Sequence, residues 1–91
     1  MAAQVSIPTP LRNLTNNIDT VDAAGATIGE VLTDLEKQFP GIGDRLLDAN
    51  GEVRRFVNIY LNGEDVRFLD NKNTAVKTND EISIVPAIAG G

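Results

Sequence analysis

The chain has 91 residues with no cysteine and no histidine, and 13 acidic against 8 basic residues give it a net charge of −5. This length predicts one domain that buries roughly 60 to 65 % of its unfolded surface, and hydrophobic residues at 42 % can fill its core without disulfides. The acidic charge argues against nucleic acid and anionic membranes as partners. Without a recognisable leader or an apolar run of ~20 residues we expect a cytoplasmic protein. We also expect it to be a monomer when free.

The first elements along the chain are two short predicted strands. In "QVSIPTPL", Val5 and Ile7 alternate with Ser6, and the prolines that follow cut the strand short. "TVDAAG" repeats the alternation weakly through Val21 and Ala23. The two segments should therefore pair as a hairpin.

An amphipathic helix is predicted next. Thr27 and Glu30 have the spacing of a capping box, and Pro40 and Gly41 should end the helix. Residues 42–47 form at most one further helical turn. The apolar stripe of the helix follows a helical spacing: Ile28, Val31, Leu32, Leu35 and Phe39.

The second half of the chain predicts three strands. "RFVNIYLNGEDVRF" is typical of a strand, a turn at Asn62 and Gly63, and a second strand. "NDEISIVP" supplies the last strand, with Ile82 and Ile84 inward and Pro86 at its end. One helix cannot bury its stripe alone, so we expect an α+β fold: a mixed sheet of four to five strands, with the main helix packed across one face, over residues 1–86.

Candidate catalytic groups are scarce. Two serines have no histidine to activate them, and the acidic residues are scattered. Asp70 and Glu81 have the spacing of the ends of a calcium loop, but Lys72 and Ala75 occupy positions that such a loop does not tolerate. The sequence therefore predicts neither an enzyme nor a metal site.

The end of the chain, "VPAIAGG", is the most informative segment. Two glycines gain nothing from packing and lose the most conformational freedom when ordered, so residues 87–91 should form a flexible tail. Fully extended, five residues reach at most roughly 16 to 18 Å. Ala87, Ala89, Gly90 and Gly91 are thin enough for a narrow channel, and a terminal carboxylate can be activated as an acyl donor. We expect Ala87, Ile88, Ala89 and Gly90 to be recognised by another protein and Gly91 to be its covalent substrate.

A docking surface is predicted on the sheet. Alternation in "FVNIYL" directs Val57, Ile59 and Leu61 to the core, and the residues between them to the other face. Exposed aromatic side chains are typical interface anchors. The predicted partner-binding residues are Phe56, Asn58, Tyr60 and Val85. The alternative is that one of the two aromatic rings folds over the sheet edge or covers a second small core.

The order of elements and the Gly90-Gly91 end resemble the ubiquitin-like β-grasp sulfur carriers of the ThiS/MoaD family, which include the thiamine sulfur carrier and the small subunit of molybdopterin synthase. "VSIPTPLR", "FVNIYLNGEDVRF" and "VPAIAGG" are similar to the CysO-like branch of these carriers, which serves a cysteine-forming pathway of actinobacteria.

The resemblance implies a covalent cycle that uses ATP and a sulfur donor but no bound cofactor. An ATP-dependent adenylating enzyme would activate the carboxylate of Gly91, which a sulfur donor would convert to a thiocarboxylate. In the CysO-like branch the sulfur goes to a PLP-dependent cysteine synthase, and a zinc-dependent peptidase releases the cysteine. The alternatives are sulfur transfer to molybdopterin or thiamine biosynthesis, or a ubiquitin-like modifier joined to lysines of other proteins.

Overall fold

The computed structural model describes residues 2–86, so the predicted tail at 87–91 lies outside the described residues. It contains five strands and two α-helices: β1 Ala3–Ser6, β2 Thr20–Ala23, α1 Ile28–Gln38, α2 Ile42–Leu46, β3 Val57–Leu61, β4 Glu64–Asp65 and β5 Glu81–Pro86. Short 3-10 helices span Thr9–Leu14, Val66–Phe68 and Asn71–Asn73.

The five strands form one mixed sheet in the order β2-β1-β5-β3-β4. β1 runs parallel to β5, and the other neighbouring strands are antiparallel. The predicted pairing of the first two strands is confirmed, with Val5 opposite Val21, although a 3-10 helix separates them in the chain. The predicted mixed sheet with one main helix is also confirmed.

Helix α1 begins where the capping box predicts. The Thr27 side chain accepts a hydrogen bond from the Glu30 N–H at 3.2 Å. The returning bond differs from the usual box, because the Glu30 carboxylate accepts from the N–H of Ala26, one residue before the cap, at 2.9 Å. The helix ends at Gln38, ahead of Pro40.

The core lies between α1 and one face of the sheet. Burying the apolar stripe of α1 against alternate strand residues removes both from water, which is the main favourable contribution to folding. The large side chains that are fully buried in this core come from both helices, from the strands and from the segment after β1: Ile7, Ile28, Leu32, Leu35, Ile42, Leu46, Ile59 and Ile82.

The second strand of the "RFVNIYLNGEDVRF" segment is much shorter than predicted. The turn is as expected, since Asn62 and Gly63 both have positive φ angles, of 51° and 89°. The strand that follows holds only Glu64–Asp65, and the chain then enters the 3-10 helix Val66–Phe68. The Asp65 carboxylate accepts the N–H of Arg67 at 2.9 Å and so favours this helix over a continued strand.

Candidate functional site

Strands β3 and β5 are neighbours in the sheet, and they bring the predicted docking residues together near the end of β5. β5 ends at Pro86, which lies opposite Val57, the first residue of β3. One step inward, Asn58 lies directly opposite Val85. The end of the sheet from which the chain continues to residue 87 is therefore the end that carries the predicted docking surface.

The outer face of the sheet, opposite α1, carries three of the four predicted docking residues. Val85 is 43 % exposed, while Asn58 and Tyr60 are half-buried. Val57, Ile59 and Leu61 are buried, so the predicted alternation of β3 is confirmed.

The two aromatic side chains differ in exposure. Phe56 precedes β3 by one residue and is 56 % exposed, as predicted. The prediction that Tyr60 is exposed is only partly right, because its side chain is half-buried. Tyr60 lies opposite Ser83 on one side and Asp65 on the other, so both neighbouring strands cover it. Phe56 is thus the more accessible apolar anchor.

Arg67 completes this end of the sheet, and its role was missed in the sequence. Its Nη1 donates to the Oδ1 of Asn58 at 2.7 Å, and its Nη2 donates to the carbonyl of Val57 at 2.7 Å. Nη2 also reaches the carbonyls of Arg54 and Arg55, at 3.2 and 3.3 Å. Because β4 is too short to pair with the beginning of β3, this guanidinium supplies donors where a neighbouring strand would.

Phe68, which the sequence placed in a strand, is 88 % exposed. Strand alternation would have put it on the same side as Val66, which is buried. The signal that a strand ends here is Leu69, which puts a second apolar residue directly after Phe68 and breaks the period of two.

The opposite end of the sheet, where β5 begins, has a different chemistry. Asp80 accepts the N–H of Lys77 at 2.7 Å and the side-chain amide of Asn62 at 3.1 Å. These bonds, the Lys77 N–H first, hold the pKa of the Asp80 carboxyl below its usual value. This carboxylate fixes the turn before β5 and takes no part in the docking surface.

Other kinds of site have little support in residues 2–86. No three carboxylate, imidazole or thiol side chains gather there as metal ligands would. None of the helices in this range is long and apolar enough to cross a membrane. A concavity of about 510 Å³ lies near Ala3, Gly25 and Val76, but Lys77 alone brings a charge to it.

Comparison with known proteins identifies the family. The family model described as "ThiS family" matches residues 5–91. The chain belongs to the ThiS family. The match includes the last strand and the five residues after it, which carry the Gly-Gly end.

Relatives within the ThiS family share most of the chain. The sulfur carrier protein CysO of Mycobacterium tuberculosis is 48% identical over 93 residues, covering 100% of both chains. In the crystal structure of the Amycolatopsis orientalis BexX/CysO complex, the similar chain has a TM-score of 0.93 and 44% identity, over 99% of this chain and 100% of that one. Small archaeal modifier protein 3 of Haloferax volcanii is 42% identical over 66 residues, covering 72% of this chain and 71% of the relative.

These comparisons confirm the predicted β-grasp fold and the predicted likeness to CysO-like carriers. The curated relatives that match over the full length are named as sulfur carriers, which agrees with the prediction that a ThiS-family chain of this kind is a protein cosubstrate and not an enzyme.

Proposed function

We propose that this chain is a sulfur carrier whose Gly91 carboxylate is adenylated and then converted to a thiocarboxylate. The observation that carries the proposal is the 48% identity to a protein named a sulfur carrier, with both chains covered from end to end. The proposed recipient of the sulfur is cysteine biosynthesis through a PLP-dependent cysteine synthase, with release of the cysteine by a zinc-dependent peptidase.

The chemistry assigns a limited task to the chain. A carboxylate is a poor acyl donor, so an activating enzyme would transfer AMP from ATP to Gly91 and release pyrophosphate. Sulfur from the donor would then displace AMP and leave a thiocarboxylate, a soft nucleophile at neutral pH. ATP and the sulfur donor belong to the activating enzyme, and the chain contributes the reacting carbon and the means to present it.

The folded body supplies the binding energy that the tail lacks. Ordering five residues costs about 1 to 2 kcal/mol each, so residues 87–91 would cost roughly 5 to 10 kcal/mol to hold in a channel. An aromatic anchor at an interface contributes about 2 kcal/mol or more in favourable cases. The outer face with Phe56, Asn58, Tyr60 and Val85 is the proposed docking surface, since it lies at the end of β5.

Intact-mass measurement tests the proposal. The chain is incubated with an activating enzyme, ATP and a sulfur donor, and the expected product is heavier by the replacement of one oxygen with sulfur. Omitting ATP should abolish the change. A chain that lacks Gly91 is the matched control, and its conversion would contradict the assignment of the reacting carboxylate.

A second candidate function is protein modification. The 42% identity to small archaeal modifier protein 3 favours it, although that match spans fewer residues. In this case Gly91 would be joined to lysines of other proteins, and the mass spectrum would show larger adducts instead of a single sulfur substitution. A sulfur carrier for molybdopterin or thiamine biosynthesis would form the same thiocarboxylate. Only the identity of the sulfur acceptor would distinguish such a carrier from one that supplies cysteine biosynthesis.

A further inference from the structure

The basic side chains of this acidic protein are unevenly placed. Of its five arginines, Arg54 and Arg55 directly precede Phe56 at the beginning of β3, and Arg67 lies against the same segment through its hydrogen bonds. Arg12 lies at the end of β1, where its Nε donates to the carbonyl of Ile7 at 3.1 Å. Since β1 and β5 run parallel, these four arginines share the end of the sheet at which β5 stops.

Within residues 2–86, none of these four arginines forms an ion pair with a carboxylate. The sole ion pair among residues 2–86 joins Lys72 to Glu52. Arg54 bonds to Asp44, but to its backbone carbonyl, at 3.0 Å. The guanidinium of Arg55 is exposed and donates no hydrogen bond to the described part of the chain. The Asp65 carboxylate also lies at this end, where it accepts the backbone N–H of Arg67, so the positive charge presented here comes mainly from Arg55 and the neighbouring guanidinium groups.

The charge near the contact surface determines whether an acidic partner is attracted, because salt screens the charges at the far end of the molecule. At physiological ionic strength the screening length is about 8 Å. The folded chain measures 34 × 29 × 24 Å, so acidic groups at the other end of the sheet, such as Asp80 and Glu81, act only weakly on a surface that contacts Arg55. A net charge of −5 is thus compatible with a basic contact surface.

We propose that the end of the sheet formed by Arg54, Arg55, Phe56, Arg67 and Phe68 docks on an acidic protein surface with an apolar centre. The inference rests on the proposed function, since it assigns a chemistry to the partner surface around the channel that takes the tail. Charge complementarity carries it: arginines that form no ion pair within residues 2–86 adjoin the exposed side chain of Phe56, and the exposed Phe68 directly follows Arg67 in the chain. Arginine and aromatic residues are enriched at protein interfaces, and the complementary charges would speed encounter and fix orientation.

The first experiment tests the charge without any enzyme. The isotope-labelled full chain is titrated with an oligo-glutamate peptide, and amide chemical shifts are followed by NMR. We expect shifts confined to residues near Arg55 and Arg67, and weaker binding as salt rises from about 0.01 M to about 0.15 M. Arg55→Gln should raise Kd about twofold to fivefold, the loss expected for one exposed ion pair. Lys37→Gln is the matched control, because it removes the same charge from the exposed surface of α1 and should leave Kd unchanged.

Three outcomes would overturn the inference. The first is the absence of shifts at this end of the sheet. The second is an equal response around Lys37 and Lys77, since it would mean that any exposed cation binds the peptide. The third is a response to inorganic phosphate but not to oligo-glutamate, because it would assign the arginines to a phosphate-bearing ligand.

A second experiment separates this inference from the proposed function. With an activating enzyme that converts the parent chain, Arg55→Gln should raise KM for the carrier about twofold to fivefold without changing kcat. Unchanged KM, with normal thiocarboxylate formation, would overturn the acidic partner surface and leave the carrier function intact. If no enzyme converts the parent chain, the peptide titration still decides whether the basic end binds acidic protein surfaces.

Discussion

Arg67 and Asn58 are joined by a hydrogen bond of 2.7 Å that runs from Nη1 of the guanidinium to Oδ1 of the amide. The same guanidinium binds the carbonyl of Val57. One side chain thus orients a residue of the docking surface and satisfies the backbone at the free edge of β3, beyond the reach of the two-residue strand β4. The Arg67 guanidinium therefore both stabilises the edge of β3 and positions Asn58 in the docking surface.

We expect Arg67→Ala to lower the free energy of unfolding by about 1 to 3 kcal/mol, because it leaves the carbonyl of Val57 and the amide of Asn58 without their donor. Urea unfolding measures the change. Arg67→Lys should recover only part of the loss, since an ammonium group cannot make the forked contact. Arg55→Ala is the matched control and should unfold within about 0.5 kcal/mol of the parent. An unfolding midpoint for Arg67→Ala equal to that of the parent would contradict this role.

The exposed and buried faces of β3 should respond differently to truncation. Phe56→Ala is expected to weaken partner binding by roughly 1 to 3 kcal/mol with little effect on folding, since the side chain is 56 % exposed. Ile59→Ala should instead destabilise the fold by about 2 to 5 kcal/mol, because its side chain is fully buried. Thermal melts and a binding titration separate the two effects.

Tyr60 is expected to show both effects. Its half-buried ring should contribute to stability and to binding, so Tyr60→Ala should melt between the parent and Ile59→Ala. If Ile59→Ala melted like the parent while Phe56→Ala unfolded early, the assignment of faces would be out of register by one residue.

Changes at the end of the chain should separate folding from chemistry. Gly90→Ala should leave the melting temperature unchanged but abolish thiocarboxylate formation, because a β-carbon would crowd a channel shaped for glycine. Removing Gly91 retracts the reacting carbon by about 3.3 Å, more than a near-attack geometry tolerates. Intact mass after incubation with the activating enzyme reports the outcome. Normal adenylation of both variants would rule out the tail as the substrate.

The turn before β5 should make stability depend on pH at the acidic end. The N–H of Lys77 and the amide of Asn62 lower the pKa of the Asp80 carboxyl in the folded chain. A carboxyl whose folded pKa is depressed stabilises the fold fully above its unfolded pKa of about 3.9 and loses that contribution as pH falls through the folded pKa. The melting temperatures of the parent and Asp80→Asn should therefore differ at neutral pH and converge in acid. A difference that stays constant with pH would contradict the assignment.

The sequence was sufficient for those parts of the fold in which local pattern and burial agree. The capping residue Thr27, the apolar stripe of α1 and the alternation of Val57, Ile59 and Leu61 specify one helix and one buried strand face without reference to distant residues. The family also follows from sequence, because the model of the ThiS family matches residues 5–91.

The sequence was not sufficient where a side-chain hydrogen bond, local or distant, overrides the strand pattern. "EDVRF" has the alternation of a strand, but the Asp65 carboxylate starts a 3-10 helix and Arg67 is held by groups at residues 54–58, which lie next to it only after folding. The same turn exposes Phe68, which alternation alone would have directed inward.

The grouping of the arginines is likewise a result of tertiary structure. Arg12, Arg54, Arg55 and Arg67 are spread over most of the chain, and the net charge of −5 conceals them. Parallel pairing of β1 with β5, and antiparallel pairing of β3 with β5, bring them to one end of the sheet. The spacing of apolar residues along the sequence determined which side chains are buried, because each helix or strand turns the same face to the core at regular intervals. The strand order determined which charges share a surface, because that depends on contacts between residues far apart in sequence.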